Sequence, residues 1–244
     1  KALAHSRNIV TVKLLQKIGT SSVIKMARNL GIKSRMENNL SIGLGSSGVT
    51  LQELVSAYSA FANHGIKVES KGIRYVENRN GKVLFKESQN KTQPISNGIA
   101  SVITSLLQSV VKEGTAKKVR ALERPTAGKT GTTNNYIDAW FLGYTPKLLT
   151  GVWVGKDDVE PLGKNETGSR AALPIWLEYM KRALEGTPIH NFRTTYETVF
   201  TKINPDTGNL TDAEDPKGYF EIFLKDKLPA KQNNATKVLI DKAF

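Results

Sequence analysis

The sequence predicts an α+β domain, an antiparallel sheet flanked by helices. Three observations carry this. Amphipathic helical patterns crowd the first half of the chain. Three strand patterns then follow one another over residues 126–155, joined by short turns. Helices segregated from a run of adjacent strands are the pattern of an α+β fold rather than of alternating βαβ units.

The elements follow in order. Val10, Leu14, Leu15 and Ile18 make one apolar stripe, and Val23, Met26, Ala27 and Leu30 make a second that Gly31 ends. Leu51, Leu54, Val55, Tyr58, Phe61 and Ala62 make the strongest stripe. Thr50 and Glu53 form a capping box in front of it and Gly65 closes it. Ile99, Val102, Ile103, Leu106, Leu107 and Val110 form a fourth helix, stopped by Gly114. A fifth starts at Pro174, which suits the first helical position, and carries Ile175, Trp176, Tyr179 and Met180. Each stripe is read as core packing. Residues 73–85 read as a hairpin turning at Arg79-Asn-Gly81, and residues 126–132, 138–144 and 148–155 as consecutive strands, the last two joined at Thr145-Pro146-Lys147. Composition shifts after Thr187. Residues 1–189 are therefore assigned to the main domain and 190–244 to a small, partly irregular extension. That extension has a turn at Asn204-Pro-Asp-Thr-Gly208 and a polar, Lys-rich end.

Length and composition set the outer bounds. With 244 residues, 39% of them hydrophobic, the chain can build a core without staples. It has no cysteine, so disulfides and thiolate metal sites are excluded. His5, His64 and His190 are scattered without ligand spacing, and Gly43-Leu-Gly45 lacks the strand–helix context of a phosphate loop, so neither a metal nor a cofactor is expected. The net charge of +13 favours anionic partners, whether nucleic acid, anionic lipid headgroups or an anionic polymer such as a cell wall, or simply solvates the surface. No apolar run approaches the ~20 residues of a membrane span.

The chemistry-bearing segment is Thr126-Ala-Gly-Lys-Thr-Gly-Thr-Thr133. A lysine and hydroxyls on a strand edge can hold a carboxylate, and a glycine between them lets a ligand backbone approach. Ser6-Arg-Asn8 lies 123 residues upstream of Lys129 (129 − 6). Together these resemble the second and third motifs of the penicillin-binding proteins, whose established signature is the ordered set S-x-x-K, S-x-N, K-T-G. The strings GVTLQELVSAYSAFANHG, SVVKEGTAKKV, DAWFLGYTPKLLTGVWVGKDD and ETGSRAALPIW resemble the class A, bifunctional branch, over residues 1–185.

The resemblance implies a peptidoglycan D,D-transpeptidase that cross-links stem peptides through a serine acyl-enzyme and is a target of β-lactams. It implies Ser6, Asn8 and Lys129 as catalytic residues. Ser6 would relay a proton, Asn8 would bind the substrate amide, and Lys129 would keep Ser6 poised and attract the substrate carboxylate. Thr130, Gly131 and Thr132 would bind substrate, the hydroxyls holding its carboxylate and the Thr132 N–H serving as half of an oxyanion hole. The implied partners are stem peptides, β-lactams, and an N-terminal chain carrying S-x-x-K, a glycosyltransferase domain and a membrane anchor. That places the domain outside the cytoplasm, with no nucleic acid expected.

The departure from the family is the acylated serine. Three S-x-x-K strings occur, Ser22 to Lys25, Ser88 to Lys91 and Ser109 to Lys112. All are read as solvated helix or loop residues. Pairing Ser22 with Ser88-x-Asn90 would leave only 41 residues (129 − 88) between the last two motifs, too few for the family. The nucleophile is therefore expected outside residues 1–244. Two alternatives stand beside this reading. One is a β-lactamase-type hydrolase with Glu37 as the deacylating base. The other is a non-catalytic, basic polyanion-binding module.

Overall fold

The computed structural model describes residues 1–88 and 91–231. Asn90 and the polar tail beyond residue 231 lie outside them. The chain packs as two units, Lys1–Arg193 and a second beginning at Thr194.

In the first unit, α1 (Asn8–Ile18) and α2 (Thr20–Asn29) are separated by Gly19, whose φ of 84° is open to a residue without Cβ. A 3₁₀ turn, Leu40–Leu44, leads to α3 (Leu51–Ala62). Short strands β1 (Lys67–Val68), β2 (Tyr75–Glu77), β3 (Val83–Lys86) and β4 (Lys91–Thr92) follow. β2 and β3 form the expected hairpin with Gly81 in its turn. Then come α4 (Asn97–Lys112), a 3₁₀ segment Lys117–Leu122, β5 (Ala127–Thr132), β6 (Ala139–Tyr144), β7 (Leu149–Val154) and α5 (Ala172–Ala183). Helix α5 starts two residues earlier than expected, so Pro174 is its third residue rather than its first. A proline is still tolerated there, because N–H groups of the first turn have no intrahelical acceptor.

Strands β5, β6 and β7 form an antiparallel sheet in that order, with Lys129 opposite Leu142 and Leu142 opposite Gly151. Directly paired residues share a face. Side chains at 129, 142, 144 and 151 therefore point one way, and those at 130, 141, 143 and 150 the other. Glycines let helices close on both faces. A Cβ on Gly151 would sit 2.7 Å from Val55 of α3, and one on Gly143 would sit 2.9 Å from the Trp176 ring of α5. Trp176 is fully buried, edge-on to Phe141 at 5.0 Å, and donates its indole N–H to the carbonyls of Gly143 and Thr150. On the α3 face, buried Tyr144 shares a 2.9 Å hydrogen bond with Thr104 of α4.

The capping box of α3 forms as the sequence expects. Its glutamate also reaches further than the box. Glu53 accepts from the N–H groups of Thr50, Lys33 and Ser34, so one carboxylate fixes both a helix start and the loop after α2. Burial pushes this carboxyl up, but the hydrogen bonds from Ser34, Thr50 and Lys33 outweigh it and hold it at about 2, below the ordinary 4.5. A lowered carboxyl stabilises fully above its unfolded value, and that contribution is lost as pH falls from 4.5 towards 2. Denaturant titrations across this window should show a steeper loss for wild type than for Glu53→Gln. At neutral pH, Glu53→Ala should cost about 1–3 kcal/mol, because three N–H groups lose their acceptor.

The second unit is more regular than the sequence suggests. Strands β8 (Thr198–Ile203) and β9 (Tyr219–Leu224) pair over six positions from Thr198↔Leu224 to Ile203↔Tyr219. Its alternation is weak because Phe200 and Phe220 remain largely exposed. The Asn204 turn forms as expected, with the Asn204 side-chain oxygen accepting from Asp206 and Thr207.

Candidate active site

The two motifs meet. The Lys129 ammonium donates to the Ser6 hydroxyl at 2.6 Å and to the carbonyl of Thr130 at 2.7 Å. Burial lowers the Lys129 pKa from the ordinary 10.5, so the ammonium is a poorly hydrated, sharply localised charge. Ser6 has φ 51°, a left-handed conformation uncommon outside glycine, asparagine and aspartate. It is exposed, and it is not the cap of α1. Arg7 holds that position, and no side chain caps it. Asn8 is the first helical residue and is also exposed.

Strand β5 is an edge of its sheet, with β6 on one side and no strand among the described residues on the other, an arrangement that can take a ligand backbone. The threonines differ from each other. Thr130 is buried and shares a 2.7 Å hydrogen bond with Thr115. Thr132 is exposed. Its hydroxyl oxygen accepts from the Gly168 N–H at 3.0 Å, which leaves its own proton free to donate. Gly131 lies against Trp140, where a Cβ would come within 3.1 Å of the Trp140 Cβ.

A groove of about 730 Å³ opens beside these residues. Lys129, Gly131 and Thr132 line one side, and Val23, Ala27 and Leu54 are among the apolar residues of the other. At its rim Trp140 and Trp153 lie 6.1 Å apart, and the Trp153 indole donates to Asp138 at 2.8 Å.

The sequence reading missed Thr115 and Gly168. Both stand in the quoted strings KEGTA and ETGSR, but nothing in their spacing links them to Lys129. Gly168 packs so closely that a Cβ would fall 2.4 Å from the carbonyls of Gly131 and Trp140. The other candidates do not converge here. Ser22 and Lys25 are exposed on α2, and Ser109 donates to its own helix at Ser105. Glu37 is exposed, with its carboxylate accepting from Asn39.

A sheet covered by helices, with a lysine on its edge strand touching a serine at the mouth of a helix, fits the serine β-lactamase/transpeptidase fold. Comparison with known proteins narrows this class. Residues 1–180 match the family model of the penicillin binding protein transpeptidase domain. The chain is 38% identical over 228 residues to penicillin-binding protein 1A of Aquifex aeolicus, covering 93% of this chain and 31% of that protein. It is 33% identical to penicillin-binding protein 1A of Pseudomonas aeruginosa, covering 96% and 35%. Among solved structures, penicillin-binding protein 1A of Haemophilus influenzae superposes with a TM-score of 0.87 at 26% identity, over 95% of this chain and 40% of that one. PonA1 of Mycobacterium tuberculosis in complex with penicillin V superposes at 0.70 with 30% identity, over 80% and 58%. The chain belongs to the penicillin-binding protein transpeptidase family, in its class A branch. It spans about a third of the length of the curated relatives it matches.

Proposed function

We propose that this chain is the C-terminal part of the transpeptidase domain of a peptidoglycan D,D-transpeptidase. The observation that carries the reading is the 2.6 Å contact between Lys129 and Ser6, two motif residues 123 positions apart. In the complete protein a serine outside residues 1–244 is acylated by the D-Ala-D-Ala end of a stem peptide and D-Ala leaves. The amine of a neighbouring stem then resolves the ester. Ser6 relays the proton between nucleophile and leaving amine, and Asn8 binds the acyl-side amide. Lys129 and the free proton of Thr132 hold the terminal carboxylate, and the stem backbone lies along the open edge of β5. The Thr132 N–H forms half of the oxyanion hole.

The S-x-x-K segment seats in the groove beside Lys129, whose apolar wall of Val23, Ala27 and Leu54 suits a helix. A glycosyltransferase domain and a membrane anchor precede it, and the domain works outside the cytoplasm, near anionic wall polymer that its positive charge attracts. The β-lactamase and polyanion-binding readings are not favoured, since family model and relatives alike are penicillin-binding proteins.

Fluorescent penicillin provides the test. The full-length protein should label at one serine outside residues 1–244, located by peptide mass spectrometry. Stable labelling at Ser22, Ser88 or Ser109 would overturn the motif assignment.

A further inference from the structure

We infer that Thr115 is a positioning residue that holds Ser6 against Lys129. The proposal rests on the transpeptidase reading above and adds a residue to it.

Ser6 and Lys129 belong to segments with little else in common. Ser6 lies in a short run of turns at residues 1–7, in a strained conformation and exposed. Lys129 lies in a sheet strand. A contact between two such groups needs a common support, and Thr115 touches both sides. Its backbone N–H donates to the carbonyl of Ala4 at 3.1 Å, two residues before Ser6, and Ala4 is buried at 1% exposure. Its hydroxyl shares a 2.7 Å hydrogen bond with Thr130, the residue after Lys129. The carbonyl of that same Thr130 accepts from the Lys129 ammonium, which in turn donates to Ser6. The contacts close a ring from Ala4 through Thr115, Thr130 and Lys129 to Ser6.

Thr115 is itself held rigidly. The carbonyl of Val110, in the last turn of α4, accepts from both Gly114 and Ala116, the residues on either side of it. Ala116 is fully buried. Gly114 presses so closely on the N-terminal segment that a Cβ there would lie 2.1 Å from the Ala4 oxygen. The end of α4 thus fixes a clamp whose jaws grip the segments bearing the two catalytic side chains. Misplacement of a reacting group by about 1 Å can cost on the order of 10²-fold in rate. A support at this point therefore bears directly on acylation.

The test uses the full-length protein and the rate of penicillin acylation per folded molecule. Thr115→Val keeps the branched shape and the N–H to Ala4 but deletes the hydroxyl, and should slow acylation by roughly 10–10²-fold. Thr115→Ser restores the hydroxyl and should recover most of the rate. Thr130→Val deletes the same bond from the strand side and should reproduce the loss, which keeps the test open if Thr115→Val folds poorly. The deciding measurement is a double-mutant cycle with Ser6→Ala. If Thr115 acts through Ser6, adding Thr115→Val to Ser6→Ala should cost little more. Full additivity of the two losses, or wild-type rates in Thr115→Val, would overturn the proposal. If wild type itself does not acylate, the transpeptidase reading fails first and takes the proposal with it.

Discussion

Lys129→Ala in the complete protein is expected to slow acylation by a β-lactam on the order of 10²–10³-fold, within the range that a positioned proton relay contributes, because Ser6 loses the ammonium that poises it. The expectation comes from the site's geometry. One ammonium touches the Ser6 hydroxyl, and Lys129 stands on the edge strand β5, along which the proposed substrate would bind. Lys129→Arg keeps the charge. Its planar fork cannot occupy the space of a compact ammonium 2.6 Å from Ser6, so it too should be slow, though less so than alanine. The discriminating measurement is the second-order acylation rate for a matched ligand pair, one with a free carboxylate and one esterified. Wild type should prefer the acid and Lys129→Ala should not. A full preference retained in Lys129→Ala would place the carboxylate elsewhere.

The burial of Lys129 also carries a pH dependence of stability, with a definite sign. Burial lowers the Lys129 pKa below 10.5, so the folded state binds fewer protons than the unfolded state as pH approaches that value. Charge at this site therefore costs stability below the folded pKa, and the cost fades as pH rises towards 10.5. The stability of wild type should therefore rise as pH climbs towards 10.5, which denaturant titrations in that range would show. Acylation by wild type should fall at alkaline pH below the ordinary lysine range as this proton is lost.

Ser6→Ala carries the second large effect. A positioned proton relay contributes typically ~10²–10⁴-fold, and its loss should show in both penicillin acylation and peptide cross-linking. Stability should fall by about 1–3 kcal/mol, because the partly buried Lys129 ammonium loses the Ser6 hydroxyl as an acceptor, although Arg7, not Ser6, holds the cap position of α1. A purely structural serine would lose the same stability with acylation unchanged, so the acylation rate per folded molecule separates the two.

Most of the elements were legible in the sequence because their signals are local. The stripe of α3 and its Thr50–Glu53 box lie within one or two turns. The hairpin at Gly81 and the strands around Thr145-Pro146 are marked by turn residues that allow few conformations. Where the local signal is ambiguous, the sequence leaves the element's bounds open. Pro174 fits anywhere in a first turn, so it could not fix where α5 begins. The hairpin of β8 and β9 was hidden because aromatic residues on it stay exposed and blur the alternation.

For the candidate site, the sequence by itself determined which side chains are candidates for the chemistry and their order along the chain. A lysine flanked by threonine and glycine on a strand, and a serine two before an asparagine, are short patterns that survive without neighbours. Only the tertiary structure decided that Lys129 reaches Ser6, that Thr130 turns to Thr115 while Thr132 keeps a free proton beside Gly168, and that Glu53 binds the loop after α2 as well as its own helix. The physical reason is common to all of these. Hydrogen bonds between residues far apart in sequence leave no periodic trace, since any hydroxyl, amide or carboxylate can make them. Their partners are chosen by the packing of helices against the sheet, as Gly143 beneath Trp176 and Gly114 beneath Ala4 allow it.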